Sequence, residues 1–262
     1  MNDINLDIPK KDLKKLRLLV LDSDGITVPT GGLVVEKESK DKLIVDCTLY
    51  LITEEMTDKI NLLKKKGIDV CISSGRSMLS LQGMYSRIIG KGTILMAENG
   101  NLLLKDGVIH QAKIYSDRFL KKLYSIRERV KKMKGITGIE PKQFIITARA
   151  NFESKDVYTL IEEMDKEKEL YSIWVGYEVH EIGHKNVSKG NTLKKLIKMM
   201  GLKKENVMTI GDSTNDIDMV KQGGMQISAD IDVVKAPYWI NKKPILPKQP
   251  ADVLLDYLLE NL

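Results

Sequence analysis

Two aspartates directly follow a short apolar segment near the start of the chain. Residues 18–21 are leucine and valine, and Asp22, Asp24 and Gly25 come next. A short apolar run followed by turn residues predicts a buried strand. Ligands bind beyond the carboxyl ends of strands in open parallel sheets, which would place both carboxylates at such an edge. Carboxylates this close repel each other unless a cation offsets the charge, and magnesium suits the arrangement, although Asp-rich turns are also common without a ligand.

Polar residues also follow two further predicted strands and begin one helix. A hydroxyl before a glycine turn, several carboxylates and a lysine are what magnesium-assisted phosphoryl transfer to an aspartate requires. The metal and the lysine would neutralise the phosphoryl oxygens, while the hydroxyl and backbone N–H groups would hold them. One carboxylate would attack, and a second would move the proton. These residues are Ser73, Ser74, Gly75, Lys189, Asp212, Asn215 and Asp216.

Hydrophobic periodicity predicts the elements that must position these residues. Strands and helices alternate between residues 18 and 96, which argues for a parallel sheet with right-handed crossovers. Within that stretch, residues 36–42 are expected to be irregular and residues 43–50 to form an extra strand. After a hairpin, closely spaced strands and helices suggest an inserted α/β domain. We therefore expect a catalytic core at residues 1–112 and 186–262 and an insert at residues 113–185.

The composition argues against several classes of protein. The 262 residues are 42% hydrophobic and 30% charged, with a net charge of +6. The basic runs have helical spacing and no interleaved aromatic residues, so we expect no nucleic-acid partner. No apolar run approaches the ~20 residues that cross a bilayer, so we expect no membrane partner. The first residues lack the basic start and apolar core that are typical of a signal peptide, so none is expected. Cys47 and Cys71 are expected to be buried free thiols of a cytoplasmic protein.

Four segments, in order along the chain, resemble the four motifs of the haloacid dehalogenase superfamily of phosphohydrolases. They are residues 22–25, 74–76, 188–190 and 211–216. The Glu-Asn-Gly at residues 98–100 and the insert between the second and third motifs are similar to subclass IIB, which includes Cof-type sugar phosphatases, sucrose-phosphate phosphatase and phosphomannomutase. Gly176, Tyr177 and His180 most resemble the archaeal phosphoglycolate phosphatases. The resemblance implies an α/β fold: a Rossmann-like core with a parallel sheet and an inserted α/β cap domain.

The resemblance also implies a role for each matching residue. Asp22 would be the nucleophile that forms an aspartyl-phosphate, and Asp24 the general acid and base. Ser74 and Gly75 would bind the phosphoryl group, and Lys189 would screen Asp22 and phosphate. The Mg²⁺ ligands would be Asp22, Asp24 through its carbonyl, and Asp212, with Asn215 and Asp216 in support.

The chain departs from the family pattern at two places. Ile26 occupies the usual position of a threonine, with Thr27 one place later, so one supporting hydroxyl is expected to be displaced. The segment at residues 31–49 is longer than the usual connection. Arg76 is expected to be a structural partner rather than a ligand.

The hypothesis that follows is a magnesium-dependent phosphatase for a small phosphorylated metabolite, either a sugar phosphate or a phosphoglycolate-like acid. It would act as a monomer or homodimer. The insert would be a mobile cap that selects the substrate, with His180 as the expected contact, although a hydrogen-bonded core histidine is equally open. A phosphomutase is the first alternative, disfavoured by the scattered arginines of the insert. A phospho-accepting signalling domain is the second, disfavoured by the insert and by Asp24.

Overall fold

The computed structural model describes residues 3–39, 42–175 and 178–262, and these fall into two compact units. Unit 1 comprises the described residues of Met1–Gly32, Tyr50–Ala112 and Ser188–Leu262. Unit 2 comprises those of Leu33–Leu49 and Lys113–Val187. The sequence analysis assigns residues 33–49 to the core, whereas the structure groups them with the inserted segment.

Fifteen strands and nine helices are found in the described part of the chain. The strands are β1 (Ile4–Asn5), β2 (Leu18–Asp22), β3 (Leu33–Ser39), β4 (Lys42–Thr48), β5 (Asp69–Ser73), β6 (Thr93–Ala97), β7 (Leu102–Lys105), β8 (Val108–Gln111), β9 (Ile136–Ile139), β10 (Ile146–Ala150), β11 (Leu170–Val175), β12 (Val179–His184), β13 (Val207–Gly211), β14 (Met225–Ser228) and β15 (Tyr238–Ile240). The helices are α1 (Lys10–Leu13), α2 (Glu54–Lys65), α3 (Met78–Met84), α4 (Asp117–Val130), α5 (Lys155–Met164), α6 (Lys189–Met199), α7 (Ile217–Val220), α8 (Lys242–Ile245) and α9 (Pro250–Asn261). None of the described helices is long and apolar enough to cross a membrane.

Unit 1 is built on a nine-stranded sheet in the order β1-β15-β14-β13-β2-β5-β6-β7-β8. Neighbouring strands from β15 to β6 are parallel, which confirms the predicted α/β fold with a largely parallel sheet. Every residue of β2 is buried, as expected of a central parallel strand. One face of the sheet packs against α6 through a cluster that includes Leu18, Val20, Ile94, Met96, Leu193, Leu196 and Val207.

The sheet register brings the motif residues of unit 1 to one edge. Asp22, the last residue of β2, pairs with Ser73, the last residue of β5. On the other side of β2, Leu21 pairs with Ile210 of β13, so Asp212 leaves the sheet close to Asp22. Because parallel strands end at the same edge, these three loops converge. Gly25 has φ +82°, a conformation that favours glycine and lets the chain turn away from this edge.

Unit 2 is a six-stranded sheet in the order β11-β12-β10-β9-β3-β4, with each described pair antiparallel. Helices α4 and α5 supply apolar residues to its core, which includes Phe119, Leu123, Ile126, Val130, Ile139, Ile146, Val157, Leu160 and Ile182. The hydrophobic periodicity of α4 predicts the face that it buries. Strand β9 was not predicted.

The hairpin β3–β4 corrects two expectations from the sequence. Described residues within 36–42 are strand rather than irregular, since β3 pairs along its length with β4 and at Glu36 with Ile139 of β9. A β-carbon at Gly138 would clash with Val35 Cγ1, so glycine allows β3 to lie this close to β9. Cys47 on β4 is exposed, whereas Cys71 is buried as expected.

Candidate active site

The ammonium of Lys189 lies between two carboxylates at the edge of the parallel sheet. Its Nζ is 2.5 Å from Asp22 Oδ1 and 2.6 Å from Asp216 Oδ1. All three side chains are buried. Burial alone would lower the pKa of Lys189, but the charges of Asp216 and Asp22 outweigh it and raise that pKa above its ordinary value. Lys189 is therefore a fixed positive charge beside Asp22.

Three carboxylates of unit 1 form a cluster that could hold a metal ion. One oxygen from each of Asp22, Asp212 and Asp216 lies within 4.8 Å of the others. Burial raises the pKa of Asp22, and the charge of Asp216 adds to that effect. Burial also raises the pKa of Asp212. Mg²⁺ takes oxygen ligands and usually binds one or two carboxylates, keeping several waters. The donor set therefore fits magnesium.

Asp216 organises the loop in which Asp212 lies. Its Oδ2 accepts hydrogen bonds from the backbone N–H of Asp212 at 3.2 Å, the backbone N–H of Ser213 at 3.1 Å and Ser213 Oγ at 2.8 Å. A β-carbon at Gly211 would lie 2.5 Å from Asp216 Cβ, so glycine allows this close approach. Asn215 is exposed and accepts a hydrogen bond from Ser213 Oγ at 2.5 Å. Asn215 and Asp216 are thus both tied to Ser213.

The carboxylate of Asp24 is directed toward Arg76. Arg76 Nε donates to Asp24 Oδ2 at 2.8 Å and its Nη2 donates to Asp24 Oδ1 at 2.5 Å. Nη2 also donates to the carbonyl of Gly32 at 2.9 Å, which fixes the guanidinium. These bonds agree with the expectation that Arg76 is a structural partner. The side chain of Asp24 is 29% exposed and therefore accessible to water, whereas that of Asp22 is buried.

The turn after β5 presents Ser74 and Gly75. Ser74 is 2% exposed, its Oγ accepts a hydrogen bond from the backbone N–H of Arg76 at 3.2 Å, and its own N–H donates to the carbonyl of Met96 at 2.9 Å. A β-carbon at Gly75 would lie 3.1 Å from Asn99 Oδ1, so any side chain at residue 75 would crowd Asn99. The turn is therefore held against β6 and the segment that follows it.

A buried tyrosine supports the turn that carries Asp22 and Asp24. The hydroxyl of Tyr85 lies 2.8 Å from Ser23 Oγ and 2.5 Å from Thr27 Oγ1. Thr27 Oγ1 also donates to the carbonyl of Ser23 at 3.0 Å. Ile26 is fully buried, and the hydroxyl of Thr27, one place later, is hydrogen-bonded to this tyrosine. Tyr85 belongs to no motif, and nothing in the sequence singled it out.

A second lysine was also missed by the sequence analysis. Lys242 Nζ forms an ion pair with Asp212 Oδ2. Lys242 lies two residues after Ile240, where β15 ends, at the same edge of the sheet as the other site residues. A lysine following the short strand of a predicted parallel sheet was the available signal.

His180, the expected substrate contact, is a buried and hydrogen-bonded residue of unit 2. The side chain is fully buried, and Nε2 accepts a hydrogen bond from the backbone N–H of Ser154 at 2.9 Å. The rings of Trp174 and Tyr158 lie 4.7 and 5.6 Å from the imidazole, centroid to centroid. Burial lowers the pKa of His180, which favours the neutral ring. The other residues named with it, Gly176 and Tyr177, lie outside the described residues.

The motifs and fold agree with comparisons to known proteins. The family model described as haloacid dehalogenase-like hydrolase matches residues 45–151 and 137–230. A phosphoglycolate phosphatase of Sulfolobus acidocaldarius is 32% identical over 71% of this chain and 78% of its own. The 5-amino-6-(5-phospho-D-ribitylamino)uracil phosphatase of Bacillus subtilis is 26% identical over 87% of this chain and 95% of its own. An α/β hydrolase with a cluster of acidic residues is thus the class that fold and site define. The chain belongs to the haloacid dehalogenase-like hydrolase family and is a phosphatase of that family.

Solved structures show the same fold at low sequence identity. A haloacid dehalogenase-like hydrolase from Bacteroides thetaiotaomicron matches with a TM-score of 0.66 at 14% identity, covering 94% of this chain and 100% of its own. The C-terminal domain of the trehalose-6-phosphate phosphatase of C. albicans matches with a TM-score of 0.64 at 16% identity, covering 96% and 94%.

Proposed function

We propose that this phosphatase is magnesium-dependent and hydrolyses a small phosphorylated metabolite through an aspartyl-phosphate on Asp22. The observation that carries the proposal is the position of Lys189, whose Nζ is 2.5 Å from Asp22 Oδ1. A carboxylate attacking a phosphate ester must overcome the repulsion between two anions, and a buried ammonium at this distance offsets it. Asp216 also binds Lys189, but its other oxygen is held by its own loop. Asp22 is therefore the better nucleophile.

The first step would transfer the phosphoryl group to Asp22. A carboxylate oxygen of Asp22 bonds to phosphorus as the ester P–O bond breaks, and Asp24 donates a proton to the leaving oxygen, which departs as an alcohol. Ser74 Oγ and the N–H groups of the Gly75 turn would hold the phosphoryl oxygens. Magnesium bound by Asp22, Asp212 and the Asp24 carbonyl would supply further charge neutralisation there.

The second step would return the enzyme to its starting state. Asp24, now deprotonated, takes a proton from water as the water oxygen bonds to phosphorus. The bond between phosphorus and the Asp22 oxygen breaks, which releases inorganic phosphate and restores the Asp22 carboxylate. Arg76 binds both oxygens of Asp24, so it would orient the ionised carboxylate as the base of the second step.

The proposed substrates are a phosphoglycolate-like acid or a sugar phosphate. Two relatives bear the name phosphoglycolate phosphatase at 32% and 30% identity, and the Bacillus subtilis relative is named for a ribityl phosphate. Several carbon skeletons are thus represented, so the proposal is a class of small phosphate monoesters.

The test is release of inorganic phosphate from a panel of 2-phosphoglycolate, hexose phosphates and a ribityl phosphate. Each is assayed with magnesium, and with a chelator and no magnesium. Asp22→Asn provides the matched inactive control for contaminating phosphatases. We expect turnover only with magnesium and only in the wild type. Full activity in chelator, or a rearranged phosphate ester as the product in place of free phosphate, would contradict the proposal.

A further inference from the structure

We propose that Lys242 competes with the divalent cation for Asp212, so that its ammonium holds the metal site when no metal is bound. This inference rests on the proposed function, because it concerns the same carboxylates. It assigns Lys242 a positioning role that sets the affinity for the metal.

The ion pair lies where a metal ligand would be needed. Lys242 Nζ contacts Asp212 Oδ2, and the side chain of Asp212 is 7% exposed. A β-carbon at Gly25 would lie 3.1 Å from that oxygen and 3.6 Å from Lys242 Nζ, so the pair lies directly beside the turn between Asp24 and Ile26. An ammonium on this oxygen lies beside the position of a metal ion bound to Asp212, and two positive charges so close together repel each other, which weakens the binding of the metal.

The charges explain why either cation, the ammonium or the metal ion, stabilises this cluster. Asp22, Asp212 and Asp216 carry three negative charges when ionised, and Lys189 offsets one of them. With Lys242 in place, the buried group retains one uncompensated negative charge. A divalent cation in place of the ammonium leaves none. The lysine therefore stabilises the cluster without metal. Because a dication must displace the lysine, the cluster binds the dication less tightly than it would without Lys242.

The surroundings of Lys242 allow its side chain to leave. Its backbone N–H donates to the carbonyl of Ala229 at 3.1 Å, which fixes the main chain, while the side chain is 27% exposed. It borders a cavity of about 200 Å³ that is also lined by Asp230 and Asp232. These carboxylates offer the displaced ammonium an acidic environment beside the cavity. A flexible four-carbon stem suits such a movement better than a planar guanidinium.

The experiment compares magnesium binding to metal-free wild type, Lys242→Met and the control Lys243→Met by titration calorimetry. Lys243 is exposed and adjacent, so its replacement removes the same charge without the contact to Asp212. We expect Lys242→Met to bind magnesium roughly three- to tenfold more tightly, the range for losing a partly exposed charged hydrogen bond. The variant should also unfold at a lower temperature without metal, and magnesium should raise that temperature more than in wild type.

Lys242→Arg tests whether the competition depends on charge. It retains the cation, and we expect magnesium affinity no tighter than that of the wild type. A purely structural lysine would give unchanged or weaker magnesium binding when replaced by methionine, and either result overturns the inference. Equal tightening in Lys243→Met would assign the effect to overall charge and also overturn it. If the wild type binds no magnesium, the proposed function fails as well. If it binds magnesium and Lys242→Met does not differ, only this inference fails.

Discussion

Arg76 binds both carboxylate oxygens of Asp24, at 2.8 Å through Nε and 2.5 Å through Nη2. The two residues are 52 positions apart in sequence and leave the sheet on neighbouring strands, β2 and β5. A bidentate pair fixes the plane of the carboxylate as well as its position. Asp24 is partly exposed, so without Arg76 its side chain would have several rotamers available.

Replacing Arg76 should therefore slow the reaction without removing a reacting group. We expect Arg76→Lys, which keeps the charge but loses the second hydrogen bond, to lower kcat by about tenfold, a fraction of what a proton-transfer group contributes. Arg76→Met should lower it further. Magnesium affinity, measured by calorimetry, should stay close to that of the wild type because Arg76 binds the carboxylate of Asp24, and the proposed metal ligand is the Asp24 carbonyl. Wild-type kcat in Arg76→Met would show that Asp24 needs no such support.

Asp24→Asn tests whether the Asp24 carboxylate transfers the proton without binding the metal. The amide cannot donate or accept the proton, so we expect kcat to fall by ~10²–10⁴. Its backbone carbonyl is unchanged, so magnesium affinity should fall much less than in Asp212→Asn. The measurement is steady-state phosphate release combined with calorimetric titration of both variants. Equal loss of metal binding in the two would mean that the Asp24 carboxylate is itself a ligand.

Asp22→Asn should abolish hydrolysis and increase the stability of the metal-free protein. Burial raises the pKa of Asp22, so the folded state binds a proton that the unfolded state has lost. The free energy of unfolding should then fall as pH rises above the unfolded value of about 4, through the raised pKa. The asparagine variant lacks this contribution and should exceed the wild type in stability near pH 7, with the difference shrinking toward pH 4.

The check is thermal unfolding in chelator across this pH range. Asp58→Asn, at an exposed position on α2, is the matched control and should follow the wild type. If the Asp22→Asn variant turned over substrate at the ordinary rate, Asp22 could not be the nucleophile. A stability difference that is independent of pH would show that its carboxyl is not the titrating group.

His180 should act on the stability of unit 2 rather than on substrate choice. Burial lowers its pKa from about 6.5, so protonation is disfavoured in the folded state and stability should be lost as pH falls below that value. Burial lowers the pKa of His184 as well, so its effect on stability has the same direction with pH. His180→Gln keeps an acceptor for the Ser154 N–H without a titrating ring, and we expect a weaker pH dependence between pH 7 and 5.

Trp174, whose ring is 4.7 Å from that of His180, provides the fluorescence signal in a Trp239→Phe background. With the best substrate and a small generic ester, His180→Ala should lose activity equally, in proportion to unfolding. Loss confined to the best substrate would restore a role in specificity.

The sequence by itself determined the class of fold and the positions of the motif residues. Asp22, Ser74 and Asp212 each follow a short apolar run, and adjacent parallel strands must deliver such residues to one edge. Element type is a local property of hydrophobic periodicity and turn residues. This explains why β2 forms at the apolar run of residues 18–21 and why β5 and β13 end just before Ser74 and Asp212. Lys189 lies at the start of α6, in agreement with its predicted place at the beginning of a helix.

Only the tertiary structure decided which side chains meet. Arg76 reaches Asp24 across 52 residues and Lys242 reaches Asp212 across 30, and no local pattern specifies either pair. The end of β3 contains charged residues and was expected to be irregular. Its pairing with β4 and with β9 makes it part of a strand. The burial of His180 depends on aromatic side chains of two other elements. Each of these outcomes is set by the order in which strands join a sheet, a long-range property that periodicity along the chain does not contain.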